Sequence, residues 1–303
     1  MNRDRRPARL QAGLDIEEFE ILARDGYQVS VRTYQQSGMR DLPVFVYIHG
    51  GGWVSGSLET DDGTSRLVAE KFAVVVVNVE YRLAPEHKFP VGFEDCNDVV
   101  KWCATAAGQQ RLKSDLRKGF ILGGTSAGAN FAAGIAHIAR DEGLSPPLTG
   151  VVFLDGNVID TDVTPEKYKD RILSVDEITD GPGLNRDAVE YFAKMYGADP
   201  LDKRRSPLLY NSRAGIARKV YLAVCGWDPR RDEAILFDDL LREAGVQTKM
   251  KVYKGLPHGF WTVCPDLPLR QKFHDDLFEG VEWLLDEIAC VSEWRCLRVT
   301  ETP

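Results

Sequence analysis

Five consecutive residues, Gly124-Thr125-Ser126-Ala127-Gly128, set a serine between glycines two positions to either side. They follow the apolar run Phe120 to Leu122 and open the helix-period stretch Ala129 to Arg140. That strand–turn–helix setting is the one in which a serine can act as an exposed nucleophile. On so sharp a turn the serine backbone is strained, and the flanking glycines let the neighbouring chain pass. The helix behind it favours negative charge at its N-terminus. Without that setting, the same residues describe an ordinary strand-to-helix turn of small side chains.

A second cluster, His49-Gly50-Gly51-Gly52-Trp53, directly follows the run Val44 to Ile48. Acyl transfer passes through a tetrahedral oxyanion that needs N–H donors already aimed at it. Three glycines let the backbone turn such donors inward. This nominates the N–H groups of Gly51 and Gly52, with that of Ala127 after the serine, as the oxyanion hole. Gly50 is less directly involved, and His49 reads as a brace for the loop. The same glycines also spell Gly50-x-Gly52-x-x-x-Gly56, a loosened dinucleotide fingerprint with Glu80 ending the next strand. That spacing misses the fingerprint by one residue, and Glu80 stands about 28 residues on instead of about 20. No cofactor is expected.

A serine nucleophile needs a base, and the base needs an orienting acid. Of five histidines, His137 falls inside the helix after the serine, His274 in the final helix, and His87 in a loop before the serine. His258, in Leu256-Pro257-His258-Gly259-Phe260, sits just past the run Lys249 to Tyr253 and can reach over the sheet edge to Ser126. His258, in a loop just past a strand and downstream of the serine, is therefore the candidate base. Asp228, in Cys225-Gly226-Trp227-Asp228-Pro229, follows the run Val220 to Val224; Asp155, after Val151 to Leu154, is its rival. The strand before Asp228 is sequentially next to the one bearing His258, which favours Asp228. Asp232 and Glu233 read as charges that complement a helix dipole. Trp53, Trp227, Phe260 and Trp261 flank these motifs as candidate substrate-pocket walls, with core packing as the plain alternative. Tyr191 and Phe192 are further candidate substrate contacts.

The elements that must carry these residues are legible as alternating runs. A hairpin, Phe19 to Leu22 and Gln28 to Tyr34 around Arg24-Asp25-Gly26, comes first. Six apolar runs follow: Val44 to Ile48, Ala73 to Val79, Phe120 to Leu122, Val151 to Leu154, Val220 to Val224 and Lys249 to Tyr253. Such runs suit strands buried on both faces of a mostly parallel sheet. Helix-period stretches lie between them: Ser65 to Lys71, Phe93 to Ala106, Ala129 to Arg140 and Asp232 to Ala244. In the final helix Phe273, Leu277, Val281, Leu284, Leu285 and Ile288 form one apolar stripe. The pattern predicts an α/β fold with an eight-stranded, mostly parallel sheet and flanking helices in a single domain over residues 1–303. Residues 1–18 and 160–212 are polar and broken by Pro and Gly, with helical pieces at Thr164–Lys169 and Arg186–Tyr196. Both are expected to form a lid over the sheet's C-terminal edge.

Composition narrows the partners. The 303 residues carry 38 Lys+Arg against 46 Asp+Glu, a net charge of −8 without basic runs, which argues against nucleic acid. No apolar run approaches the roughly 18–20 residues that span a bilayer, and MNRDRRPARL is not followed by an apolar signal core. The six cysteines form no C-x-x-C pair, and the histidines show no zinc-ligand spacing, so no metal is expected. They read as thiols of a reducing cytoplasm, with Cys290 and Cys296 near the tail the only pair where a disulfide stays open. The expected partner is a small-molecule ester, and a homodimer through an edge strand is compatible with the pattern.

Taken together, the elbow, the H-G-G-G loop and the order Ser126–Asp228–His258 resemble the hormone-sensitive-lipase-like family of α/β-hydrolases. The resemblance spans roughly Leu42 to Leu285. It extends to Tyr81-Arg82-Leu83-Ala84-Pro85-Glu86-His87 with Phe89-Pro90, and to Asp228-Pro229 with Arg231-Asp232-Glu233. It implies a cofactor-free ester hydrolase with a helical cap over the site. Thr125 stands where the family commonly has Asp, Ala129 replaces a frequent Gly, and Arg230 replaces the usual Leu; these bear on pocket shape and pH behaviour. The form Thr125-Ser126-Ala127-Gly128-Ala129-Asn130 is similar to members from filamentous fungi, some of which remove acyl groups from polyketides. The expected activity is hydrolysis of short-acyl, acetyl-like esters through an acyl-enzyme. The alternatives are amide hydrolysis, elimination or cyclisation, and ligand binding without turnover, though similar receptor proteins lack the base histidine.

Overall fold

The computed structural model describes residues 11–296, with side chains to residue 286. Eight strands build one sheet: β1 Leu14–Leu22, β2 Gln28–Gln36, β3 Val44–Ile48, β4 Val75–Glu80, β5 Phe120–Thr125, β6 Gly150–Leu154, β7 Lys219–Trp227 and β8 Gln247–Pro257. The helices are α1 Asp62–Lys71, α2 Val91–Ala104, α3 Ala106–Leu112, α4 Ala127–Asp141, α5 Ser174–Glu177, α6 Arg186–Tyr196, α7 Arg231–Glu243, α8 Phe260–Val263 and α9 Leu269–Cys296. The strand order is β1-β2-β4-β3-β5-β6-β7-β8, antiparallel across β1, β2 and β4 and parallel from β4 to β8.

The central strands are apolar on both faces because helices cover both. Val44, Val46 and Ile48 pack with Phe93, Val99 and Val100 of α2, Phe131 of α4 and Phe237 of α7. Phe45 and Tyr47, pointing the other way, pack with Val68 of α1 and Phe273, Leu277 and Val281 of α9. The apolar stripe of the last helix is therefore its core face. Leu285 is partly buried against it, and the Ile288 side chain lies outside the described residues, as do those of Cys290 and Cys296.

Three elements differ from their sequence reading. Residues 14–18, expected in a lid, form the first half of β1 at the sheet's far edge, and residues 1–10 lie outside the described residues. Glu17, Glu18 and Glu20 are exposed and Asp15 half-buried, and these acidic positions break up the strand's apolar signal. The helix expected to run to Ala106 breaks at Thr105, whose hydroxyl accepts the Gly108 N–H at 3.0 Å and starts α3. The piece expected near Thr164–Lys169 is a tighter 3-10 turn over Glu166–Arg171.

After β3 the chain steps to β4 on one side, and β5 then returns to the other side of β3. This reversal leaves a crevice at the C-terminal ends of β3 and β5, where α/β sheets bind ligands. No helix among the described residues is long and apolar enough to cross a membrane.

Candidate active site

Five polar residues each occupy the first position beyond a parallel strand: His49 after β3, Ser126 after β5, Asp155 after β6, Asp228 after β7 and His258 after β8. The parallel register puts them along one sheet edge. Trp227 pairs with Pro257 across β7 and β8, so Asp228 and His258 emerge side by side. His258 Nδ1 lies 2.7 Å from Asp228 Oδ2, and His258 Nε2 lies 2.9 Å from Ser126 Oγ. The three residues favoured from sequence are thus brought into one hydrogen-bonded chain.

Ser126 is held at φ 55°, ψ −115° in front of α4. Its N–H donates to Leu154 O at 2.8 Å, and its carbonyl accepts the Asn130 N–H at 3.0 Å. A side chain at Gly128 would place Cβ 2.0 Å from Ile48 O, so glycine is required for α4 to start this close to β3. Trp53 at φ 64° and Asp155 at φ 45° are also left-handed. Such residues cost of order 1–3 kcal/mol each and persist where the surroundings fix them.

Asp155, the rival acid, takes a different place. Its Oδ1 accepts the Cys225 N–H at 2.8 Å and its Oδ2 the Gly259 N–H at 2.8 Å, tying β7 to the His258 loop. Asp228 Oδ1 accepts the Arg230 N–H at 2.8 Å. All four carboxylate oxygens of the Asp155–Asp228 pair are thereby engaged in hydrogen bonds. Burial and the neighbouring Asp228 charge push the Asp155 carboxyl up to about 6. At His258 burial disfavours the imidazolium, but attraction to Asp228, its hydrogen bond and Asp155 outweigh it, so the group titrates above 6.5.

These residues open onto a cavity of about 280 Å³. Gly51, Gly52 and Ala127 line it beside Ser126, and none of their N–H groups donates to another group among the described residues. Gly52 has φ +59°, and a Cβ there would fall 2.5 Å from the Phe192 ring. His49 is fully buried, with Nδ1 2.7 Å from Gly50 O and its ring stacked on Tyr81 at 4.3 Å. His137 is buried in α4, and burial lowers it to about 4.

The proposed pocket walls divide. Trp53 lines the cavity, stacked on Tyr196 at 4.5 Å, and Phe192 and Val189 close it from α6, with Leu184 just before that helix. Trp227 is 38% exposed and off the cavity; it ends β7 pointing to solvent. Trp261 is buried and lies flat on Phe273 at 3.9 Å, and Phe260 is buried in the same cluster, so both serve the core beneath α9. Tyr191 is 55% exposed, on the outer side of α6 from Phe192. Helix periodicity explains that last difference: Val189, Phe192 and Tyr196 share the inward face, and Tyr191 falls off it.

Other lining residues had no sequence signal. Asp61 is 3% exposed, its Oδ2 has no partner in the protein, and burial drives it up to about 7 against the Gly50 N–H it accepts. Asp232 and Glu233 do more than complement the dipole of α7. Asp232 Oδ2 accepts the Leu173 and Ser174 N–H groups at 2.9 and 2.7 Å, anchoring the insertion that carries α5 and α6. Glu233 Oε2 accepts the Val158 and Ile159 N–H groups at 3.0 and 3.2 Å.

A serine, a histidine and an aspartate in one hydrogen-bonded chain, on a cavity beside N–H groups that donate to nothing else among the described residues, form the constellation found in acyl-transfer enzymes. The alpha/beta hydrolase fold family matches residues 45–262, and the chain belongs to its hormone-sensitive-lipase-like carboxylesterases. It is a carboxylesterase-type enzyme. It is 36% identical over 275 residues to a versiconal hemiacetal acetate esterase of Dothistroma septosporum, covering 90% of this chain and 83% of that one. Among solved structures it resembles a vibralactone cyclase at 35% identity and TM-score 0.88, covering 92% of this chain and 82% of that one. It also resembles a hyperthermophilic esterase from the archaeon Pyrobaculum calidifontis at 32% identity and TM-score 0.80, covering 89% and 86%.

Proposed function

We propose that the protein hydrolyses short-acyl esters of the acetate kind through an acyl-enzyme on Ser126. The observation that carries this is the chain Asp228–His258–Ser126, with links of 2.7 and 2.9 Å. Ser126 Oγ attacks the ester carbonyl carbon while His258 Nε2 takes its proton. Asp228 holds the imidazole by Nδ1 and stabilises its cation. The Gly51, Gly52 and Ala127 N–H groups receive the oxyanion, supported by the N-terminus of α4. The carbon–oxygen bond to the alcohol then breaks, and His258 returns the proton to the leaving oxygen. Water repeats the sequence on the acyl-enzyme, releasing the acid and restoring Ser126.

A cavity of about 280 Å³ is at the small end of ligand pockets, which run from about 300 to 1,000 Å³. Phe192, Val189 and Leu184 shorten it on the insertion side. Both facts favour a short acyl group. The acetate esterase relative supports the same class, an acetylated secondary metabolite being one such substrate. The buried thiols Cys96, Cys103 and Cys225 are unpaired, which suits a cytoplasmic enzyme.

The test is hydrolysis of p-nitrophenyl esters from acetate to dodecanoate, wild type beside Ser126→Ala. The expected result is a rate that falls steeply beyond butyrate and disappears in the variant. No turnover at any chain length in folded protein contradicts the reading. The likeness to a vibralactone cyclase supports a second reading, in which a hydroxyl of the substrate replaces water and closes a ring. A hydroxyacyl ester in heavy-oxygen water separates them, because hydrolysis yields an acid with one solvent oxygen and ring closure yields a lactone with none.

A further inference from the structure

One corner of the cavity carries hydrogen-bond donors that the acyl-enzyme chemistry leaves unused. Arg230 lines the cavity at 7% exposure and is held from two sides. Its backbone N–H donates to Asp228 Oδ1 at 2.8 Å, and its Nη1 donates to Glu233 Oε1 at 2.6 Å. Glu233 is itself fully buried and pinned by the Val158 and Ile159 N–H groups. The guanidinium therefore cannot swing away, and its Nε and Nη2 meet no acceptor among the described residues. Asn157, 5% exposed, also lines the cavity. Its carbonyl is clamped by Asn130 Nδ2 at 3.0 Å, and its own Nδ2 has no partner in the protein. The Asn157 amide is a buried donor left unmade, and the Arg230 guanidinium, held in place on the same cavity, has donors to spare; together they point to an acceptor that arrives with the ligand.

The charge of that acceptor follows from the neighbours. Glu233 already balances Arg230, and the Asp155 and Asp228 carboxylates lie with His258 in one cluster whose ligating atoms are within 4.8 Å of one another. A carboxylate on the ligand would add another buried anion to this group. A neutral oxygen gains a charge-assisted hydrogen bond without that repulsion. We propose that Arg230 and Asn157 form a recognition subsite for a neutral acceptor oxygen, a ketone, quinone or hydroxyl, carried by the ester substrate away from its scissile bond. This deepens the ester-hydrolysis reading and rests on it. Sites built to hydrogen-bond a substrate oxygen discriminate strongly against analogues that lack it.

The experiment compares kcat/KM within two ester pairs that differ by one oxygen function. One pair is p-nitrophenyl levulinate against p-nitrophenyl pentanoate, and the other is acetol acetate against propyl acetate. Wild type is expected to prefer the keto member of at least one pair by about tenfold or more. That ratio collapses toward one in Asn157→Ala and in the double variant Arg230→Leu/Glu233→Gln, which removes both charges together. Circular dichroism reports folding, and either variant alone decides if the other does not fold. A wild-type ratio near one in both pairs, or a ratio that survives in the folded variants, overturns the subsite while ester hydrolysis itself stands. Faster turnover of p-nitrophenyl hemisuccinate than of the levulinate overturns the neutral-acceptor assignment. Failure to hydrolyse any of these esters overturns the underlying reading and the subsite with it.

Discussion

The strand-end loops and the insertion between β6 and β7 face each other across the cavity and are built on opposite terms. On the sheet side Trp53, Ser126 and Asp155 are three of the five non-glycine residues with positive φ among the described residues. Ser126 and Asp155 directly follow the fully buried strands β5 and β6, and Trp53 lies in the glycine loop after β3. On the insertion side the chain runs through 3-10 turns and the short α5 to α6, whose Tyr191 and neighbour Glu190 face solvent. The insertion is tied down by polar anchors, among them Asp232 to the N–H groups of Leu173 and Ser174, and Arg231 to Glu177 at 2.9 Å. Strain is tolerated where the sheet over-determines the backbone, and that is where reacting atoms must be fixed. On the proposed reading, substrate shape is set by the insertion, which can vary without disturbing the chemistry.

Gly52 is where the two regions touch, and Gly52→Ala is expected to have the largest effect of the changes that spare the triad. Its Cβ would meet the Phe192 ring at 2.5 Å, at a φ of +59° that L-residues avoid. Displacing one oxyanion donor lowers kcat by about 10²–10³. Steady-state kinetics on p-nitrophenyl acetate checks this, and a change in KM alone would place Gly52 with the specificity wall instead. Phe192→Ala tests the other side. It should leave the Ser126–His258–Asp228 geometry intact and raise kcat/KM for hexanoate relative to acetate by about tenfold, the worth of about two newly buried methylenes at about 0.8 kcal/mol each. An equal loss on both esters would mean that the insertion supports the chemistry as well.

The smallest effect separates catalysis from stability by pH. His258 must be neutral to accept a proton, and it titrates above 6.5, so kcat/KM rises with pH through a midpoint above that value. A group whose pKa is raised on folding stabilises the fold at pH below its unfolded value and loses that contribution as pH rises through the folded one. His258 has this sign, and so do Asp155 at about 6 and Asp61 at about 7. From about pH 6 upward the melting temperature should fall as activity climbs. Thermal melts and rates that rise together would contradict the assignment of these three groups.

The sequence was informative where geometry allows few residue types. Gly124 and Gly128 around Ser126 and the three glycines after His49 are demands of sterics, so they leave fixed spacings, while the chain order to His258 came with the family resemblance. The choice of Asp228 over Asp155 followed from strand adjacency, and in the fold β7 and β8 lie side by side with Trp227 opposite Pro257. Trp227 and Trp261 misled because an aromatic beside a strand serves bulk as readily as recognition, and here one faces solvent while the other stacks in the core. Asp61 and Asn157 were silent because a lone polar residue carries no periodicity. Arg230 stood out in sequence only as a departure from the family's Leu, and its meaning depends on Glu233 and the cavity beside it.

The central claim is that Ser126 is acylated during turnover. The most direct measurement is rapid mixing with p-nitrophenyl acetate followed by acid quench and peptide mass analysis. The account predicts a burst of one nitrophenolate per active chain and an acetyl group on the Ser126 peptide, with neither in Ser126→Ala. Turnover with no burst and no label, or an acetyl group on a neighbouring hydroxyl such as Ser55, Thr60 or Thr125, would contradict it.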